Sequence, residues 1–319
     1  MTGGYTAIPS PEVDAAVGGA IAGIGAAVDA MRIPHVEGIV LGGGYGRGEG
    51  GVLRRAGRDD APSNDLDFYV VADDSSSPAD IAAIGAALEP LAGEWTRRLG
   101  VDADFSPAKT YWRMKHDEAR LMIQELIRGY RDVAGKPGAE LFAGLERRAP
   151  EETPMAEAVR LLMNRGAGLL LAKQNGRGAD FVSRNINKAV LGAGDSRLIA
   201  RHAYAWRLSE RAVRLGDPLY AAAAAWKAMP QDAPVCSWES ARDVWLAAEA
   251  EIRAALRDSP DGRRHPYHAA RWIVRRRTFG PAATFGMDPS LRVMLQIGGA
   301  LRNGSPFTGA MARDWRVFN

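Results

Sequence analysis

The residues best suited to chemistry lie between Val40 and Val71. The run Val40-Leu41-Gly42-Gly43-Gly44-Tyr45-Gly46-Arg47-Gly48-Glu49-Gly50-Gly51-Val52 leads an apolar segment into a glycine turn. A polar insert follows, and then Asn64-Asp65-Leu66-Asp67-Phe68-Tyr69-Val70-Val71 opens a second apolar segment with two carboxylates one residue apart. Side chains alternate faces along a strand, so Asp65 and Asp67 point the same way. Glycine turns present backbone N–H groups to phosphate oxygens, and carboxylate oxygens suit a hard cation. Together they predict a site for Mg²⁺ and a nucleotide.

The flanking elements must hold this site. Pro11 to Met31 reads as a small-residue helix, capped by Ser10 and opened by Pro11. Gly38 to Leu41 and Leu66 to Val71 are the two strands of the site. Between them, Leu53 to Ser63 is rich in Arg, Asp, Gly and Pro, and reads as a long hairpin loop. Asp80 to Leu99 carries Ile81, Ile84, Leu88, Leu91 and Trp95 at helical spacing, with Ser76 or Ser77 as cap and Gly100 as stop. Val101 to Phe105 reads as a strand bearing Asp102 and Asp104 on one face. Trp112 to Tyr130 resumes helical character after a short strand, and Gly135 to Gly138 is a turn. The charged stretch Ala143 to Pro154 reads as a linker, which divides the chain at 1–150 and 151–319.

The second part reads as helices throughout: Met155 to Ala172, Phe181 to Ile199, Leu198 to Leu215, Leu219 to Met229, Ser237 to Arg257, Tyr267 to Arg277 and Pro289 to Arg302. Pro306 to Asn319 reads as a tail packed by Trp315 and Phe318. The expected class is α+β: a small mixed sheet flanked by helices, followed by an all-α C-terminal domain.

Composition sets the bounds. A chain of 319 residues with net charge +3 buries a sizeable core and has room for two domains. Arg dominates the second half, in runs such as Arg263-Arg264 and Arg275-Arg276-Arg277, which suits polyanions or a solvated basic face. The single cysteine, Cys236, excludes an internal disulfide and fits a reducing cytoplasm. Ala15 to Ala30 is apolar but short and interrupted by glycine, so neither a membrane span nor a signal peptide is expected.

The Val40–Val71 stretch resembles the nucleotidyltransferases of the DNA polymerase β superfamily. Their fingerprint is an apolar strand, Gly-Ser or Gly-Gly, often Tyr-x-Arg-Gly-Glu, and then Asp-x-Asp on the next strand. Gly43-Gly44-Tyr45-Gly46-Arg47-Gly48-Glu49 matches the first half and Asp65-Leu66-Asp67-Phe68-Tyr69-Val70 the second. Gly44 stands where Ser is usual, and the Leu53–Ser63 insert lengthens the approach to the first Asp. Loop closure makes such an insert cheap. The motifs cover roughly the first third of the chain, and the whole resembles the larger bacterial members that carry a helical C-terminal domain.

The resemblance implies roles for these residues. Asp65 and Asp67 would bind Mg²⁺ carrying a nucleoside triphosphate, with ATP the default. Asp104, with Asp102 as runner-up, would share a second Mg²⁺ and help deprotonate an acceptor hydroxyl; Mn²⁺ is the alternative ion. Gly43 and Gly44 would hold the β- and γ-phosphates, with Arg47 near them. The reaction would move NMP to a hydroxyl of a small molecule or protein and release pyrophosphate. Lys188, Gly194-Asp195 and Tyr204 resemble the Lys, Gly-Asp and Tyr that line the cleft in larger relatives, where Lys188 would reach the triphosphate.

Two alternatives stay open beside the enzyme. One is a nucleotide-binding scaffold or sensor of the same fold without catalysis. The other is an RNA-directed protein, a terminal nucleotide adder or a helical ribonuclease. Arg197 and His202 have the Arg-x4–6-His spacing that resembles the HEPN ribonucleases, but no aromatic-basic single-strand motif accompanies them. Nucleic acid is therefore the less favoured partner. The glycines do not open the long helix of a dinucleotide fold, and no Walker lysine follows them. His265 and His268 lack the Cys or carboxylate of a zinc site.

Overall fold

The structure, a computed structural model, describes residues 4–174, 176–258 and 289–318. The chain is a mixed α and β protein that divides into two compact units, Met1–Arg148 with Lys227–Pro230, and Ala149–Trp226 with Gln231–Asn319.

The first unit is built on a five-stranded sheet. Helix α1 (Pro11–Met31) precedes β1 (Val36–Leu41), and its N-terminus is capped by Ser10, whose hydroxyl accepts from the Val13 amide at 3.3 Å. After the glycine turn, α2 (Gly43–Gly46), the insert folds as a ribbon of β2 (Val52–Leu53) and β3 (Ala61–Pro62). Then come β4 (Leu66–Ala72), α3 (Pro78–Leu99), β5 (Ala103–Phe105) and β6 (Lys109–Thr110). Ser77 caps α3 in a capping box with Asp80, and Gly100 ends it at φ 71°. The unit closes with α4 (Tyr111–His116), α5 (Leu121–Leu126), β7 (Arg131–Gly135) and α6 (Gly138–Leu141).

In the sheet, β1 lies between β4 and β7 and runs antiparallel to both. Strands β5 and β6 lie parallel to β4 at different heights, pairing with Leu66–Phe68 and with Val71–Ala72. Alternation along β1 and β4 gives the sheet two cores. Ile39, Leu41, Phe68 and Val70 meet Val13, Val17, Ala20 and Ile24 of α1 and Ile84 and Leu88 of α3. Val40 and Val71 meet Met114, Ile123 and Leu126 from α4 and α5 and Leu141 from α6. Helix α1 is long and apolar enough to cross a membrane, but Val13, Val17, Ala20 and Ile24 are fully buried in the first of these cores.

The second unit is helical: α7 (Met155–Ala172), α8 (Ala179–Ala200), α9 (Leu208–Leu215), α10 (Pro218–Ala228, whose last two residues belong to the first unit), α11 (Trp238–Asp258), α12 (Pro289–Asn303) and α13 (Gly309–Phe318). Trp245, fully buried on α11, donates its indole N–H to the Leu162 carbonyl at 2.9 Å.

Three sequence expectations are corrected, and one strand is found where none was expected. The chain over Trp112–Tyr130 is two short helices broken at Asp117–Arg120, where Asp117 draws in Arg113 and Arg120. Arg131–Gly135 is a strand, unheralded because only Val133 has strong strand character. Leu198–Leu215 is not one helix. The chain leaves α8 through His202 at φ 51° and turns Tyr204 inward. The C-terminal tail is helical, with the Trp315 indole donating to Asn164 Oδ1 at 2.8 Å. The expected helix Tyr267–Arg277, the pair His265 and His268, the Arg263 and Arg275 runs and the Phe318 side chain lie outside the described residues.

Candidate active site

The glycine turn is fastened to β4 at its first residue, where the Gly42 amide donates to the Asp67 carbonyl at 2.8 Å. Gly43 follows at φ +59°, and a Cβ there would lie 2.0 Å from Asp67 Oδ2. The turn thus passes its backbone directly against the Asp67 carboxylate, an approach only glycine permits. Gly44 differs. A Cβ there would meet the Glu49 carbonyl oxygen at 3.3 Å, a tight contact that requires the backbone to give by a few tenths of an ångström rather than a collision. Among the described residues, the amides of Gly43, Gly44 and Tyr45 have no hydrogen-bond acceptor, so they are available to an anion.

Beneath the turn, Tyr45 is fully buried and its hydroxyl joins three backbone groups. It donates to the Gly51 carbonyl at 2.7 Å and accepts from the amides of Ser63 at 2.9 Å and Asn64 at 3.4 Å. Asn64 Oδ1 in turn accepts from the Gly51 amide at 2.8 Å. The two ends of the insert are therefore pinned together, and the chain re-enters at Asp65 whatever the ribbon does beyond.

Arg47 is held inside the unit. Its Nε lies 3.2 Å from Glu49 Oε2 and its Nη1 lies 3.1 Å from Glu125 Oε2, and its stem packs on Gly129, where a Cβ would lie 2.4 Å from Cγ. The guanidinium ties the turn to α5.

Asp65 precedes β4, and Asp67 and Tyr69 follow on it as a half-buried stripe. Asp67 pairs in register with Asp104 on parallel β5, which puts both carboxylates abreast on one face. Asp104 is exposed. Asp102 lies outside β5, with its carbonyl accepting from the Leu66 amide at 2.8 Å. Register therefore makes Asp104, not Asp102, the neighbour of Asp67. Among the described residues, no group of three or more His, Cys, Asp or Glu side chains is gathered as a metal cage. The donor set nonetheless suits a divalent hard cation, since carboxylate oxygens are the ligands such an ion takes.

Tyr69 and Glu125 belong to the same locality and were not assigned from sequence. The Tyr69 ring packs on Gly42, where a Cβ would lie 2.5 Å from Cε2. Burial raises its phenol above the ordinary tyrosine range, Asp67 and Glu125 push the same way, and Arg47 opposes them. Alternation along β4, which puts residue 69 on the Asp67 face, is the signal that could have found Tyr69. Nothing local pointed to Glu125, which joins Arg47 across 78 positions.

In the second unit Lys188 is exposed on α8. Asp195 and Tyr204 are buried and linked through Arg211, whose Nη1 donates to Asp195 Oδ2 at 2.8 Å and to the Tyr204 hydroxyl at 2.7 Å. The Tyr220 hydroxyl donates to Asp195 Oδ1. These two residues of the Gly-Asp and Tyr pattern thus serve a buried network between helices. Arg197 is paired with Glu251 at 2.9 Å, and the exposed His202 ring lies 3.1 Å from the Glu151 carbonyl.

Comparisons of the chain with protein-family models, with curated proteins and with solved structures find no match.

Proposed function

We propose that the chain is a nucleotidyltransferase of the DNA polymerase β type, moving NMP from a nucleoside triphosphate, ATP by default, to a hydroxyl of a small molecule or protein. The observation that carries this reading is the juxtaposition of Asp67 and Asp104 in register, with the Gly43 backbone against the Asp67 carboxylate.

In this reading the Gly43 and Gly44 amides hold phosphate oxygens. Asp65 and Asp67 hold the triphosphate's Mg²⁺, and Asp104 faces the acceptor hydroxyl and takes its proton. Two Mg²⁺ ions, or Mn²⁺, would supply the charge neutralisation that in-line displacement at the α-phosphorus needs. Arg47 acts through the turn it braces rather than on phosphate. Lys188 is a triphosphate contact only by resemblance. A binding-only protein of the same fold is the second reading. It is favoured by the absence of a gathered three-carboxylate cage among the described residues and by Gly44 in place of Ser.

The test is a thermal-shift panel of ATP, GTP, CTP and UTP, each with and without Mg²⁺, on wild type and Asp65→Asn/Asp67→Asn, followed by pyrophosphate release with Asp67→Ala. A Mg²⁺-dependent rise for one nucleotide, lost in the double variant, is expected. Turnover persisting in Asp67→Ala rejects the mechanism. Nucleotide binding without turnover on any hydroxyl acceptor favours the binding-only protein.

A further inference from the structure

The end of the sheet away from the glycine turn holds a cavity of about 370 Å³. Glu37 lies on it at the start of β1, and Val71 near the end of β4, with Asp73 and Asp74 just beyond. Tyr111 opens α4 on another side, Lys136 follows β7, and Glu140 and Leu141 end α6. These walls are tied to one another. The Lys136 amide donates to the Glu37 carbonyl at 2.9 Å, the Asp73 amide to the His35 carbonyl at 3.0 Å, and the Trp112 amide to Asp74 Oδ1 at 2.8 Å. The Tyr111 hydroxyl passes so near Gly144 that a Cβ there would lie 2.1 Å from it. The fold therefore builds the cavity in advance, and its volume lies in the range of small-molecule sites.

The charged lining is mostly of one sign: Glu37, Asp73, Asp74 and Glu140 stand against a single cation, Lys136. Lys136 is paired with Glu37, and His35 Nδ1 lies 2.9 Å from Asp73 Oδ2. Asp73 also accepts from the Ser75 hydroxyl at 2.6 Å, which with His35 holds its carboxyl down to about 2. Asp74 and Glu140 keep acceptor capacity. Both are exposed, and among the described residues Asp74 is engaged only through Oδ1, while the Glu140 carboxylate makes no hydrogen bond or ion pair. A cleft lined by one sign of charge concentrates counter-ions. Its floor is apolar, with Val71 2% and Leu141 5% exposed, and the Tyr111 ring adds an aromatic wall. Such a lining suits an aliphatic body that carries a cationic head. A bare metal ion fits less well. Among the described residues no three carboxylates are gathered as a cage, and the cavity is far larger than an ion held by converging oxygens.

We infer that this cavity binds a small organic cation, an alkylamine with a short apolar body, through Asp74, Glu140 and Tyr111. The site is separate from the Asp67–Asp104 pair. Val71 lies four residues beyond Asp67 on β4, which at about 3.3 Å per residue is roughly 13 Å. The inference does not rest on nucleotidyl transfer, because no residue of the glycine turn and neither of those aspartates lines the cavity.

The experiment is isothermal titration of the full chain, at fixed ionic strength and without nucleotide, with 1-butanol, butylamine and 1,4-diaminobutane. The three share a four-carbon body and differ in charge. Affinity is expected to rise from butanol, which should not bind measurably, through the monoamine to the diamine, and to weaken at higher salt. Glu140→Gln and Asp74→Asn should each weaken the diamine about threefold, and together about tenfold, as solvent-screened charges do. Glutamine replaces a carboxylate that has no partner to lose, and asparagine keeps an Oδ1 for the Trp112 amide, so both variants should keep the melting temperature of the wild type without ligand. Asp65→Asn/Asp67→Asn should bind the diamine as the wild type does. The inference is overturned if neither amine binds, if butanol binds as well as the amines, or if the Glu140→Gln/Asp74→Asn protein binds the diamine undiminished. Loss of binding in Asp65→Asn/Asp67→Asn also overturns it, as does Mg²⁺ titrating with the same dependence on Glu140 and Asp74, which would make the cavity a metal site.

Discussion

Gly43 and Gly44 are chemically identical, yet the fold treats them differently. Gly43 combines a left-handed backbone with a 2.0 Å approach to Asp67 Oδ2, so Gly43→Ala faces both strain and collision. The backbone part alone costs about 1–2 kcal/mol. The collision must move the Asp67 carboxylate, so Gly43→Ala is expected to abolish the Mg²⁺-nucleotide thermal shift. Gly44→Ser should do the opposite. Its Cβ requires the Glu49 carbonyl, 3.3 Å away, to give by only a few tenths of an ångström, and its hydroxyl adds a donor at the phosphate turn. Tighter nucleotide binding in a direct titration is the expected outcome, and weaker binding removes Gly44 from the phosphate site. Tyr69 makes a pH prediction. Its phenol is raised above 10, so the folded state keeps a proton that the unfolded chain releases. The resulting stability is full below pH 10 and is lost as pH rises through the folded value. Tyr69→Phe should therefore show a shallower fall in urea midpoint on the alkaline side. Tyr45 and Tyr130 are raised too, which leaves part of the fall in place.

Elements were legible where one local signal decided them. Ser10-Pro11 and Ser77-Pro78 start helices, Gly100 stops one, and the carboxylate pattern of Asp65 and Asp67 opens β4. Strand β7 was not legible, because Arg131, Asp132, Ala134 and Gly135 have little strand character and pairing with β1 imposes the conformation. The break after α8 was hidden because Tyr204 continues an apolar pattern while its hydroxyl is held by Arg211, which lies on the next helix. At the site, Asp65, Asp67 and the glycine turn could be read from local order, and Asp104 was chosen over Asp102. Glu125 had no local signal, because its role exists only through Arg47. The insert shows how an element can lengthen without disturbing the site. Tyr45 closes it at the base, so Tyr45→Phe removes one hydroxyl and leaves buried backbone groups of Gly51, Ser63 and Asn64 short of a partner. Such a loss costs about 1–3 kcal/mol. A lower melting temperature is expected, together with faster proteolysis within 54–60; an unchanged cleavage rate means the ribbon is held elsewhere.

At the scale of the molecule, each unit is organised around a different kind of interior. The first stacks apolar helices on a sheet and keeps most of its charges at or near the surface. The second buries an ion pair among helices: Arg211 is 3% exposed and Asp195 8% exposed, and the Tyr204 and Tyr220 hydroxyls add one hydrogen bond to each. Sequence marked Asp195 and Tyr204 as a polar pattern, but gave no sign that Arg211 on α9 closes it. Removing one charge from such a pair leaves the other buried and short of its counter-ion. Arg211→Met is therefore expected to cost about 3–5 kcal/mol. Removing both should cost much less, since the second substitution relieves the stranded carboxylate. Arg211→Met/Asp195→Leu should recover a large part of the loss, with a coupling that additive effects cannot produce. Urea denaturation followed by tryptophan fluorescence reads this, because Trp206, Trp226, Trp238, Trp245 and Trp315 all lie in the second unit. If the double variant is no more stable than Arg211→Met, the pair is not an interacting unit, and the tyrosine contacts rather than the ion pair hold α8 to its neighbours.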